Sequence, residues 1–72
     1  MQSNAPIIQD RLIGIDEVLS RVALSKVTIW RLRKRQEFPE PVQASPGRRL
    51  WSEHLVNEWI ESKLQEPRAN AA

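Results

Sequence analysis

The sequence predicts a mainly α-helical domain with a small β-hairpin wing, and three observations predict it. Two short apolar stripes at helical spacing, in "DEVLSRV" and "KVTIWRLRK", are separated only by "ALS". A turn signal, "SPG", follows, with a short extended run on each side. A longer helical stripe, "EHLVNEWIESKLQE", comes last. Helix, helix, two-stranded wing and helix, in that order, make a winged helix-turn-helix.

Each element has its own signals. Residues 1–10 contain Pro6 and mostly small or polar side chains, and read as a flexible lead-in; residues 66–72, with Pro67 as a helix stop, read as a flexible tail. The domain is expected over 11–65. "RLIGI" is a short extended segment, a candidate minor strand. Asp16 follows as an N-cap or first-turn acid, and Val18, Leu19 and Val22 give a helix of about two turns. Leu24 then stands as a staple residue before Ser25, the candidate cap of the second helix.

The second helix is expected from about Lys26 to Gln36. Helical phase puts Ile29, Leu32 and Gln36 on the core side, with Thr28 and Ser25 near its edge. Val27, Trp30, Arg31 and Lys34 fall on the opposite side, with Lys26 at the border. A helix cannot run through "FPEPV", so Phe38 is expected to plug the core just beyond it. Hairpin arms are expected near 41–44 and 48–51. Ser52 caps the third helix, with Glu53 in its first turn, and Leu55, Val56, Trp59, Ile60 and Lys63/Leu64 form its stripe. Trp51 and Trp59 are expected in the core, and His54 as a solvated or capping side chain.

Composition narrows the function. The chain has 72 residues, enough for one small domain, and no cysteine. A single histidine excludes a multi-histidine metal site, and two glycines leave no glycine-rich phosphate loop. Nothing positions a nucleophile and base, so no enzyme activity and no cofactor are expected. No stretch approaches the ~18 apolar residues of a membrane span and no signal-peptide pattern opens the chain; a soluble, cytoplasmic, nucleoid-associated bacterial protein is expected.

Charge is unevenly distributed. Residues 26–49 hold Lys26, Arg31, Arg33, Lys34, Arg35, Arg48 and Arg49 against Glu37 and Glu40, while both flanks are mildly acidic and the whole chain is +2. A basic middle is a localised field for a polyanion. As the second helix of a helix-turn-helix, the 26–35 segment fits a DNA major groove. Ser25 and Thr28 sit where hydroxyls and first-turn amides meet a phosphate. Arg31 is the candidate for base readout, since a guanidinium matches guanine O6 and N7 bidentately. Lys26 lies on the same face, Lys34 is placed for a phosphate, and Arg33 and Arg35 for phosphate or screening. Trp30 has two readings: an indole packed over the wing, or a ring edge and N–H against phosphate or sugar. The 44–49 wing carries Arg48 and Arg49: a regular strand can turn only one toward the DNA-facing side, whereas a break of alternation close to the turn lets both serve the backbone or minor groove.

The stretch "RLIGIDEVLSRVALSKVTIWRLRKRQEFPEPVQ", followed by "WSEHLVNEWIESKL", resembles the AlpA family of prophage regulators, similar in fold to excisionase-type and MerR-type DNA-binding domains. "LSKVTIWR" stands at the recognition segment, "FPEPV" at its exit and "WSEHLVNEWI" at the closing helix. The resemblance covers roughly residues 11–64. It implies contacts to double-stranded DNA from Ser25, Lys26, Thr28, Trp30, Arg31, Arg48 and Arg49, with Lys26 and Val27 tuning site preference. Trp30 departs from the usual tyrosine. The implied role is transcriptional regulation of prophage genes, including integrase, or an excisionase-type assistance to excision. Phage integrase or RNA polymerase are the implied protein partners, with a dimer or cooperative array on DNA. The alternative of another class is a small protein-interaction module, such as an antirepressor, docking its basic face on an acidic partner.

Overall fold

The computed structural model describes residues 10–66. The lead-in and tail expected from the sequence lie outside these residues, apart from Asp10 and Glu66. The elements are β1 (Leu12–Ile13), α1 (Ile15–Val22), α2 (Lys26–Lys34), β2 (Val42–Ser45), β3 (Arg48–Ser52) and α3 (Glu53–Gln65). The winged helix-turn-helix architecture is therefore as expected. The sheet has three strands rather than two: β3 lies in the middle, antiparallel to both β1 and β2. "RLIGI" supplies the third strand, with Leu12 opposite Ser52 and Ile13 opposite Trp51.

Local chemistry sets the boundaries. Gly14 occupies the N-cap of α1 and Asp16 lies inside the first turn with Glu17, so Asp16 is a first-turn acid and not the cap. Ala23 closes α1 in the left-handed conformation (φ 59°), and its N–H donates to the Leu19 carbonyl at 2.8 Å. Ser25 then caps α2, its hydroxyl accepting from the Thr28 N–H at 3.2 Å. α2 ends two residues before the Gln36 expected from its pattern. Arg35 is the C-cap and Gln36 turns left-handed (φ 61°). The Glu37 N–H donates to the Leu32 carbonyl at 2.8 Å and the Gln36 N–H to the Arg33 carbonyl at 2.9 Å, the two bonds of a Schellman ending. Gln36 is consequently an exposed turn residue and not part of the core face. In the wing, Gly47 (φ 75°) supports the two-residue turn between Ser45 and Arg48, and one extra residue, Ala44, bulges β2.

The buried side chains are one from almost every segment: Ile13, Val18, Ile29, Phe38, Trp51 and Val56. Leu19, Val22, Leu24, Leu32, Trp59 and Ile60 pack around them. Each such burial contributes roughly 1.5–3 kcal/mol, and β2 contributes none. Trp51 donates its indole N–H to the Pro39 carbonyl at 3.0 Å, and Trp59 donates to the Glu37 carbonyl at 2.8 Å while meeting Phe38 edge-on at 4.9 Å. These bonds pin the proline-rich exit of α2 against β3 and α3. The stripe of α3 is shallower than its periodicity implied: Leu55 and Leu64 are exposed, as are residues 61–66. A helix of 13 residues is about 20 Å long, and beyond Trp59 and Ile60 its last five residues have run past the core.

The start of α3 is closed completely. The N–H groups of Glu53, His54 and Leu55 donate to the Arg11 carbonyl, an Asp10 carboxylate oxygen and the Ser52 hydroxyl, at 2.8, 2.9 and 3.1 Å. Beside it, Arg11 and Arg21 each pair with both Glu17 and Glu53, tying β1, α1 and α3 together. The hydrogen bond from Arg21, then that from Arg11, holds the Glu53 carboxyl below the usual carboxylate range against the opposing effect of burial. His54 sits exposed and pairs with Glu58, one turn on, at 3.1 Å.

Candidate nucleic-acid interface

α2 buries Ile29, tucks Leu32 against the core and leaves the far side open. Lys26, Val27, Trp30, Arg31 and Lys34 are all exposed there, as helical phase requires. Trp30 is 55 % exposed, with the Lys34 ammonium 4.7 Å from its ring centroid, within cation–π range. Its indole therefore neither joins the core nor lies sealed beneath the wing. Ser25 and Thr28 hydrogen-bond each other through their hydroxyls at 3.0 Å. Among the described residues the first-turn N–H groups of Lys26 and Val27 have no hydrogen-bond acceptor, so the dipole-positive end of α2 keeps its free donors.

Between α2 and the wing runs a cleft of about 280 Å³, lined by Trp30, Arg33, Lys34, Glu40 and Arg49. Strand alternation explains why Arg49 enters it: Arg49 shares the face of buried Trp51, and of the two wing arginines it alone lines this cleft, while both border a second groove with Gly14 and Asp16. The bulge lies in β2, so β3 keeps its alternation and only Arg49 is joined to Trp30 and Lys34. Arg31 lies on the flank of α2 away from the wing and lines neither this cleft nor the neighbouring groove. That groove, about 490 Å³ and almost wholly apolar, has Ile15, Ile29 and Trp51 as its floor and Lys26, Val27 and Trp30 at its edge.

One residue of the cleft, Glu40, escaped sequence reasoning, and it engages Arg33, which was expected at a phosphate or in screening. Arg33 is three-quarters buried and pairs with Glu40 at 3.2 Å across the proline-rich exit of α2, leaving its Nε without a partner. The signal was present as an acid set between two prolines, "PEP", directly after a basic helix, but spacing alone does not say which cation it meets.

The ion pairs divide the cations into two groups. Arg11, Arg21, Arg33 and Lys63 each hold a carboxylate. Lys26, Arg31, Lys34, Arg35, Arg48 and Arg49 form no ion pair among the described residues. All six are exposed, and all lie on α2, its C-cap or the wing. Among the described residues no group of three or more His, Cys, Asp or Glu side chains is placed to hold a metal, and no helix is long and apolar enough to cross a membrane.

A family model described as the prophage CP4-57 regulatory protein (AlpA) matches residues 11–64. No curated protein and no solved structure matches the chain. The matched span begins at β1 and ends within α3, so it takes in every element and the whole of the unpaired cationic surface. Match and fold together are consistent with a DNA-binding regulatory protein, and the chain belongs to the AlpA family of prophage regulatory proteins.

Proposed function

We propose that the chain is a sequence-specific, double-stranded-DNA-binding regulator of a prophage or similar integrated element, with α2 in the major groove and the wing on the neighbouring backbone or minor groove. The observation that carries this reading is the division of the cations. Six unpaired positive side chains crowd one helix and the hairpin beside it, while the others described are neutralised by carboxylates elsewhere. A field so concentrated, on the second helix of a helix-turn-helix, fits a duplex better than a small acidic ligand.

Within that geometry the side chains divide by reach. Arg31, on the open flank of α2, reads a base edge, its guanidinium suited to guanine O6 and N7. Lys26 and Lys34 meet phosphates, and the free N–H groups at the start of α2 donate to another, positioned by the Ser25–Thr28 cap. Arg49 follows the backbone from the wing, and Trp30 lays its exposed ring between them, against sugar or phosphate. A single copy reads a short site, so dimers or cooperative arrays form on DNA, and integrase or RNA polymerase are the protein partners such a regulator meets.

Binding to duplexes enriched by in vitro selection, compared with random duplex, tests the reading. Arg31→Ala is expected to cost on the order of 1–3 kcal/mol on selected DNA and little on random DNA. Equal losses on both would remove the base-reading role. If no duplex binds at low salt, neither by gel shift nor by tryptophan fluorescence, the DNA-binding reading falls, leaving the acidic-protein partner. A circular-permutation shift assay separates the modes of action: bent complexes at attachment sites mark excisionase-type action, unbent ones at promoters mark transcriptional control.

A further inference from the structure

The middle of the face that α2 presents is apolar. Val27 is 55 % exposed and takes no part in the core. Around it stand Lys26, Trp30, Arg31 and Lys34, at the helical spacings that make neighbours. Each of those four has a hydrogen-bonding group; Val27 has none. Nor is it there for the helix, since a β-branched residue is a poorer helix former than the straight chains beside it. Its inner edge borders the mostly apolar groove of Ile15, Ile29 and Trp51, with Lys26 and Arg33 among the lining, so a small hydrocarbon group set against Val27 meets hydrocarbon at the centre of a cationic rim.

Along the base edges of a major groove the one methyl group is the C5-methyl of thymine, and the other groups that tell base pairs apart are hydrogen-bond donors and acceptors. We propose that Val27 is a specificity-determining residue that selects a thymine by its C5-methyl group, one position along the site from the base read by Arg31. The inference rests on the reading that α2 enters the major groove, and it adds to that reading the chemical group recognised. Lys26 and Lys34 hold the helix to the backbones while Val27 closes on the methyl, excluding water from both.

Replacing each dT of a selected duplex by dU, one position at a time, deletes only that methyl. Wild-type protein, followed by fluorescence anisotropy, is expected to lose about fourfold in affinity at one position, the effect of roughly 0.8 kcal/mol for one methyl-sized apolar contact. Val27→Ala, which leaves the core untouched, is expected to bind the unmodified duplex about as weakly as wild type binds the dU duplex, and to be indifferent to the exchange at that position. Thermal melting of the variant verifies that the fold is kept. If no dU position weakens the wild type, or if Val27→Ala stays sensitive to the same position, the proposal is overturned. Should Arg31→Ala still erase discrimination in that case, the DNA-reading role of α2 stands and only the role of Val27 is lost. If no duplex is enriched over random sequence, both are lost.

Discussion

Asp10 accepts hydrogen bonds from the Ser52 hydroxyl and from the N–H groups of His54 and Arg11. The Ser52 bond foremost, then that of His54, holds its carboxyl below the usual aspartate range. A carboxyl depressed on folding adds stability that is present above its unfolded pKa and is lost as pH falls through its folded pKa. Glu53, depressed by Arg21 and Arg11, acts in the same direction. Asp10→Asn is therefore expected to lower the Tm at neutral pH and to make the loss of Tm on acidification shallower, as read from melts taken from neutral pH to below the aspartate range. Parallel wild-type and variant curves would show that Asp10 plays no part in the acid response. No sequence signal pointed to Asp10, because its partners lie 42 and 44 residues away. Trp30 shows the opposite case: one residue from buried Ile29, it is turned outward by helical phase, which is written in the sequence itself.

At the scale of elements, periodicity gave the face of each helix but neither its depth nor its end. Leu55 and Leu64 keep the phase of Val56 and Ile60 closely enough to read as core, yet Leu55, in the first turn, sits at the edge of the buried stripe and Leu64 lies where α3 outruns the material that would cover it. β1, two residues long, is too short for alternation to register, and only its partner β3 makes it a strand. α2 stops at Lys34 with no glycine to announce it, since the Schellman turn is made by Gln36 with φ 61°. A side chain there crowds the following carbonyl at a cost of roughly 1–2 kcal/mol, part of which glycine would return as lost chain entropy. Gln36→Gly is expected to raise stability by about 0.5–1 kcal/mol with an unchanged denaturant slope. A destabilised variant would mean that the Gln36 side chain holds the turn by contacts of its own.

Over the whole molecule, the basic middle of the chain was legible as composition, but not which charges stay free. Arg33 counted toward that surplus until the fold brought Glu40 against it, and of Arg48 and Arg49, adjacent in sequence, only Arg49 lines the cleft with Trp30 and Lys34. The salt dependence of binding reports that partition. Each phosphate neutralised adds about −0.9 to the slope of log affinity against log salt, and roughly five contacts, counting the free cations of α2, Arg35 at its C-cap and Arg49, bound it at about −4 to −5, or about −3 with Lys26, Lys34 and Arg49 alone. Arg49→Ala, removing the wing residue that lines the cleft with Trp30 and Lys34, is expected to flatten the slope by about 1 and to weaken selected and random duplexes alike. Arg48→Ala carries the same change of charge outside that cleft and is expected to leave the slope nearly as it was. Both variants keep the core, so filter binding across a salt series compares them directly. Equal flattening by the two would mean that the tip of the wing, and not the alternation of β3, decides which arginine meets the backbone.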